Sequence, residues 1–304
     1  MSVLVLDEHQ VRSLLTMGEC VDAMEEVLRS LARGELLQPL RPVFRATDAD
    51  TLLGLMPAYR GGERPAWSLK EIVIAPGNPA RGLDAHQGAV LLHDGETGQL
   101  RALLNASAIT EIRTAAVSAV ATRALARSGS RVVAILGGGV QAGSHDAAMR
   151  AVLPDAEIRH WTRADGGTPK EVLRDADVVC TCTSAREPIL QRAWLKPGAH
   201  LNAVGSSVPS ARELDTETVA EATLVVDRRE SALNEAGDLL LPGFGAERIA
   251  AELGEVLVGE HPGRTGDDEL TVFKSLGLGV EDLAAAELVV RKAREQGVGT
   301  EVEF

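Results

Sequence analysis

Two groups of residues in this chain have types and spacings that could do chemistry. The first is a glycine cluster: Val132–His145 reads VVAILGGGVQAGSH, an apolar run, a glycine triplet and the start of a helical pattern. Within it Gly137-Gly138-Gly139-Val140-Gln141-Ala142 has the form G-x-G-x-x-A. The first glycine of that form allows a tight turn, the second lets backbone approach a pyrophosphate, and the small last residue lets helix and strand pack closely. The helix start adds unpaired N–H groups and partial positive charge. The stretch therefore predicts a dinucleotide site. An acid for the ribose 2′-OH is expected about 20 residues further on, yet Ile158-Arg159-His160-Trp161-Thr162-Arg163 contains none. Thr162 and Arg163 instead offer donors suited to a 2′-phosphate, which predicts NADP(H) over NAD(H).

The second group is basic. Arg41 in LRPVF, Lys70 in WSLKEI and Arg113 in ITEIRTAAVS stand in surroundings otherwise poor in charge. A lone lysine or arginine is ordinarily a solvated surface charge. Arg113 departs from that expectation, because a charge in a helix of small apolar residues is costly without a partner.

Composition narrows the partners. With 31 Lys+Arg against 44 Asp+Glu the formal charge is −13, so phosphate backbones and anionic membranes would repel the chain. No nucleic acid and no membrane partner is expected, and a small anionic substrate would need a local basic pocket. The C-x-C of Cys180 and Cys182 lies in the apolar run DADVVCTCTS and reads as core filler, with no metal site implied. Cys20 makes the count odd, without framework spacing, which fits a reduced, cytoplasmic protein. The N-terminus MSVLVLDEHQ lacks the pattern of a signal peptide, and no apolar run is long enough to span a bilayer.

These residues need elements to hold them. VLVL at 3–6 reads as a strand, and a helix is expected at about 18–34, with Met24, Val27, Leu28 and Leu31 on one stripe and Gly34 as its stop. RPVFRATDADTLLGLMP and GAVLLHDGETGQLRALLN alternate like hairpins, with WSLKEIVIAPGNP between them. That half predicts an antiparallel sheet with exposed edges. From NASAITEIRTAAVSAVATRALAR onward the character changes to a helix followed by short, continuous apolar runs: RVVAILG, EIRHWTR, DADVVCTCT, AHLNAVG and ATLVVD. Such runs are expected of parallel strands covered on both faces. The fold class is therefore α/β, a Rossmann doubly wound parallel sheet plus an α+β domain with an antiparallel sheet. Boundaries are expected at 1–112 with 277–304 for the latter, and at 113–276 for the Rossmann domain. The amphipathic helix of DLAAAELVVRKAREQG is expected to pack back on the first half. Only ADGGTPKEVLRDAD joins the second and third Rossmann strands, so the helix there must be short.

ITEIRTAAVSAVATRALAR, ILGGGVQAGSH, KPGAHLNAVGSS, VVDRRESALNEAGDLL and VFKSLGLGVEDLAAA, in this order, resemble the ornithine cyclodeaminase/mu-crystallin family across nearly the whole chain. The resemblance implies a homodimer and a small imino- or amino-acid substrate. It implies that Arg41, Lys70 and Arg113 grip an α-carboxylate, with Arg45 a weaker alternative to Arg41. Asp227 matches the catalytic aspartate, with Lys70 beside it in the chemistry, and Glu235 borders the ligand pocket. Val140, Gln141, Thr183, Val204 and Ser275 match cofactor-contacting positions alongside Gly137, Gly138 and Gly139. His86 falls on the nicotinamide side, and its neighbour Ala85 replaces a hydroxyl-bearing residue.

Within that family the cyclodeaminases carry a glutamate before LMP, where this chain has Gly54, and an aspartate after the second Rossmann strand, where it has Arg163. Both departures point to the ketimine reductases. The expected reaction is NADPH-dependent hydride transfer to the C=N carbon of a cyclic imine 2-carboxylate. Alternatives are a dehydrogenase of alanine or another small amino acid, an ornithine or lysine cyclodeaminase, and a non-catalytic NADPH-dependent small-ligand binder.

Overall fold

Apolar–polar alternation over residues 52–105 folds into long antiparallel strands, one face of which is covered by helices. The computed structural model describes residues 2–304, in two compact units. One comprises the chain up to Arg113 together with Leu278–Phe304, and the other is Thr114–Gly277.

The first unit holds strands β1 (Ser2–Leu6), β2 (Leu36–Leu37), β3 (Val43–Arg45), β4 (Leu52–Arg60), β5 (Ala66–Ile74), β6 (His86–Asp94) and β7 (Leu100–Asn105). A last strand, Thr300–Glu303, completes an eight-stranded sheet. The sheet is not wholly antiparallel, because β1 pairs with β7 in parallel register. The helix Met17–Ala32 buries Met24, Val27, Leu28 and Leu31 on its stripe. It packs against the helix Gly279–Gln296, which in turn crosses β4, β5 and β6. That crossing is very close at its start: a Cβ on Gly279 would lie 2.9 Å from the Pro57 carbonyl oxygen and 3.0 Å from that of Met56. Only glycine lets the helix N-terminus come down onto β4 there. Asp94 closes the β6–β7 turn by accepting from the N–H groups of Glu96 and Thr97 at 3.1 and 2.9 Å.

The second unit is a seven-stranded parallel sheet: β8 (Val132–Leu136), β9 (Glu157–Trp161), β10 (Val178–Thr181), β11 (His200–Ala203), β12 (Thr223–Val226), β13 (Ile249–Glu252) and β14 (Thr271–Lys274). Continuous apolar strands are right for a sheet whose faces are both covered. Two strands go beyond the five read from sequence, β13 and β14, and β14 is inserted between β11 and β12. The order β13-β12-β14-β11-β10-β8-β9 reverses direction at β8, since the chain leaves it for β9 and returns on its other side as β10. Ligands of such sheets bind at that switch point, beyond the strands' carboxyl ends. The crossover after β9 contains a single 3-10 turn, Arg163–Asp165, and a four-residue α-helix, Lys170–Leu173.

The helix Ala106–Leu125 carries the boundary between the units. It is buried nearly all round, as its apolar composition requires. Cys20, Cys180 and Cys182 are all free and buried, with Cys180 accepting weakly from Asn202. Among the described residues no helix is long and apolar enough to cross a membrane.

Candidate functional site

In the first unit a set of charges is buried between sheet and helix. Lys70 alternates with outward-facing Trp67, Glu71 and Val73 on β5, so its side chain lies on the helix-covered face, where it is 2 % exposed. An ammonium there needs a partner. Asp282, in the first turn of Gly279–Gln296, supplies it, with Lys70 Nζ 2.9 Å from Oδ2 and 3.1 Å from Oδ1. Lys70 also donates to Thr110 Oγ1 at 3.2 Å. Arg113, one turn of helix from Thr110, donates from Nε to Asp282 Oδ1 at 3.0 Å and from Nη1 to Glu281 Oε2 at 2.7 Å.

Lys70 and Arg113 thus converge on one carboxylate, although they are far apart in sequence. Placing Glu281 and Asp282 in a first turn also suits the helix dipole. Burial pushes the Lys70 ammonium down to about 8, with Asp282 opposing and Arg113 and Arg41 adding to the lowering. Arg41 is half-buried, and its charge reaches Lys70. Arg45 is exposed on β3. His86 opens β6 at an exposed position; its backbone oxygen accepts from Ser107 Oγ at 2.6 Å. Partial burial of the ring lowers its pKa, which Asp84 opposes and Lys70 reinforces.

In the second unit the register aligns Trp161, Leu136, Thr181, Ala203, Lys274 and Val226 across six adjacent strands. The residues just after them therefore form one row along the carboxyl edge: Thr162, Gly137, Cys182 and Thr183, Val204, Ser275 and Asp227. Of the cofactor positions expected in this unit, Gly137, Thr162, Thr183, Val204 and Ser275 lie in that row, Gly138 and Gly139 join it to the helix that begins with Val140 and Gln141, and Arg163 follows Thr162. Gly137 adopts φ +139°, and a Cβ on it would meet the Cys182 carbonyl oxygen at 2.4 Å. A Cβ on Gly138 would touch Thr162 Cγ2 at 3.0 Å, whereas one on Gly139 would enter open space above the helix Val140–Val152. That open cradle over helix N–H groups fits a pyrophosphate. Val140 is exposed and Gln141 half-buried at this helix start. Next to it His145, pushed down to about 4 by burial, is neutral and bridges Gln141 O and Ser118 Oγ.

Asp227 is 1 % exposed. Its Oδ2 accepts the N–H groups of Leu276 and Gly277 at 2.5 and 2.8 Å, and its Oδ1 that of Arg228 at 2.8 Å. The carboxylate is therefore fixed in place and shapes the turn after β14. Glu235 is half-buried at the end of the helix Arg229–Glu235.

Several residues that organise these sites escape a sequence reading. Glu281 and Asp282 were visible only as an acidic pair at a helix start. Glu213, fully buried, accepts from Thr181 Oγ1, Thr183 N and Oγ1, and Gly205 N at 2.7 to 2.8 Å, tying β10 to β11. Burial raises its pKa, against the attraction of Lys274. Lys274, a lone charge ending the apolar strand TVFK, pairs with Asp238 at 2.9 Å, and Asp238 accepts the N–H groups of Glu213 and Leu214. An acid also stands near the ribose position after all. Asp165, three residues past Thr162, folds back so that its Oδ2 accepts the Thr162 N–H at 2.6 Å and the Thr162 hydroxyl at 2.9 Å.

The family model described as "Ornithine cyclodeaminase/mu-crystallin family" matches residues 1–170 and 166–297. The chain is 42 % identical to the ketimine reductase mu-crystallin of Mus musculus over 288 residues, covering 88 % of this chain and 90 % of that one. An archaeal alanine dehydrogenase dimer with bound NAD superposes with a TM-score of 0.93 at 32 % identity, covering all of both chains. The Delta(1)-pyrroline-2-carboxylate reductase of Thermococcus litoralis, in complex with NADH and L-proline, superposes with a TM-score of 0.89 at 33 % identity, covering 99 % of this chain and 100 % of that one.

Proposed function

The chain belongs to the ornithine cyclodeaminase/mu-crystallin family, and from that premise we propose that it is an NAD(P)H-dependent oxidoreductase that reduces the C=N bond of cyclic imine 2-carboxylates. Δ1-Piperideine-2-carboxylate and Δ1-pyrroline-2-carboxylate are the substrate types, and NADPH is the favoured reductant. The observation that carries this reading is the buried pair of Lys70 and Arg113, which converge on the carboxylate of Asp282, with Glu281 also on Arg113. Two cations fixed at defined angles can bind a substrate carboxylate that bulk net charge would repel.

Reduction of the C=N bond would need a hydride, which a bound reduced nicotinamide would supply, and one proton on the ring nitrogen, drawn from solvent. The protein's part is to bind, orient and polarise. Lys70, Arg113 and Arg41 hold the carboxylate and so set which face and which carbon are presented. Asp227, immobilised by backbone N–H groups, places negative charge where an iminium develops its positive charge. Gly137, Gly138, Gly139, Val140 and Gln141 hold the pyrophosphate, Thr183, Val204 and Ser275 line the nicotinamide half, and His86 borders the nicotinamide. Thr162 and Arg163 stand where a 2′-phosphate would sit, with Arg163 the cation for it, and Glu235 borders the substrate. The domains act as a substrate-binding and dimerisation domain and a Rossmann domain.

Gly54 supports reduction over cyclodeamination. It lies in β4 between β3 and β5, where an added Cβ would meet Ile72 Cγ2 at 3.5 Å, and it offers no carboxylate for a substrate side-chain amine. The likeness to the archaeal alanine dehydrogenase favours a second reading, oxidative deamination of a small amino acid through an acyclic imine with the same carboxylate grip. NADPH oxidation by purified protein decides: cyclic imines should be turned over far faster than pyruvate with ammonia, and the reverse order would replace the first reading by the second. Ammonia release from ornithine without net cofactor change would replace both.

The homodimer is supported by an apolar sheet face. Trp67 and Val73 on β5 and Phe44 on β3, which shares their face through Leu53, are at least 40 % exposed, and such a patch marks an interaction surface. Sedimentation should give twice the chain mass of 32.1 kDa, and Trp67→Glu should shift it toward the single chain.

A further inference from the structure

We propose that Asp165 is a specificity-determining residue of the nucleotide site, one that opposes Arg163 and keeps the chain able to use NAD(H) beside NADP(H). The inference rests on the dinucleotide reading of the Gly137–Gln141 turn. Thr162 follows β9, next to the strand of that turn, and its Cγ2 is the atom a Gly138 Cβ would touch. In a doubly wound fold the ribose of the adenosine half lies at this place. A 2′-phosphate there carries about two negative charges and needs donors. Arg163 is an exposed cation suited to it. Both polar donors of Thr162, its N–H and its hydroxyl, are instead directed at Asp165 Oδ2, at 2.6 and 2.9 Å.

Asp165 thus works against a 2′-phosphate in two ways. It occupies the threonine donors the phosphate would use, and it adds like charge beside them. Toward an unmodified ribose the same carboxylate is an asset, because it can accept a hydrogen bond from a 2′-OH. The loop carries both determinants, Arg163 for the phosphate and Asp165 for the hydroxyl. The tight turn Arg163–Asp165 brings this carboxylate back onto Thr162, and Gly166 at φ +71° and Gly167 at φ +63° carry the chain on from it.

The test is nucleotide binding, which needs no substrate. Titration calorimetry of the full chain with adenosine 2′,5′-bisphosphate and with adenosine 5′-diphosphate should separate the two terms. Asp165→Asn keeps the side-chain size and removes the charge. It should tighten the 2′-phosphorylated probe by about five- to tenfold, as expected for one partly screened charge, and leave the other unchanged or weaker. Arg163→Ala should do the opposite, weakening only the 2′-phosphorylated probe. The NADPH-to-NADH ratio of kcat/KM should follow the same directions. Equal changes for both probes, or none, would overturn the role of Asp165. Wild-type protein that binds neither probe would remove the dinucleotide reading beneath it, whereas binding without imine turnover would spare the role of Asp165 and refute only the imine-reductase reading.

Discussion

The buried charge cluster makes its sharpest prediction through Asp282→Asn. In the folded protein Lys70 titrates at about 8 instead of 10.5, which corresponds to about 3 kcal/mol against its charged form. That penalty stands with Asp282 already at 2.9 Å and raising the value. Without Asp282 the remaining influences, burial, Arg113 and Arg41, all push downward, so Lys70 should be largely neutral at pH 7. The folded value lies below the unfolded one, so the penalty is present below pH 8 and disappears as pH rises from about 8 to 10.5. For wild-type enzyme, kcat/KM toward an anionic substrate should fall above pH 8 as the ammonium is lost. For the variant that alkaline limb should move down by a pH unit or more, with the loss mainly in KM. Breaking a buried pair by removing one partner costs about 3–5 kcal/mol, equivalent to a fall in Tm of roughly 5–8 °C for a chain of this size. The assay is a pH series of kcat/KM with a parallel thermal melt. A variant melting within about 2 °C of wild type, with its limb still near pH 8, would refute the claim that Asp282 holds Lys70 charged.

Other expectations follow from the second unit. Gly137→Ala places a Cβ 2.4 Å from a carbonyl oxygen at φ +139°, so it should abolish NADPH binding measured by fluorescence and destabilise the fold by more than about 2 kcal/mol. Glu213→Ala removes the acceptor for Thr181, Thr183 and Gly205; it should cost about 3 kcal/mol and raise the cofactor Kd, and Glu213→Gln should restore part of both. Burial pushes Asp177 up, but Lys196, the N–H groups of Arg131 and Val132, and Arg127 outweigh it and hold the carboxyl at about 2. Its stabilisation, about 2 kcal/mol, is present above pH 3.8 and lost as pH falls toward 2, so urea unfolding of Asp177→Ala and wild type should differ at pH 7 and converge in acid.

Much of this protein is legible in one dimension. Gly137, Gly138 and Gly139 between an apolar strand and a helix declare a dinucleotide turn because only backbone chemistry is involved, and backbone requirements are written locally. Alternation likewise marks the hairpins of β3–β4 and β6–β7, and helical spacing marks the Met24–Leu31 stripe. The strand β14 was less visible: TVFK is four residues long, ends in a lysine, and is buried in the middle of the sheet only because the chain returns there late. Sequence alone also singled out Lys70 and Arg113 as charges in apolar company. It could not say what neutralises them, since Asp282 is 212 residues from Lys70 and meets it only when a glycine-started helix crosses β5. Asp165 is a different case: it reaches Thr162 locally, across the single tight turn Arg163–Asp165, and lies two residues past the Ile158–Arg163 stretch. Local spacing determines which groups a chain can offer; which charges face each other, and therefore how they titrate and what they bind, is set by long-range packing.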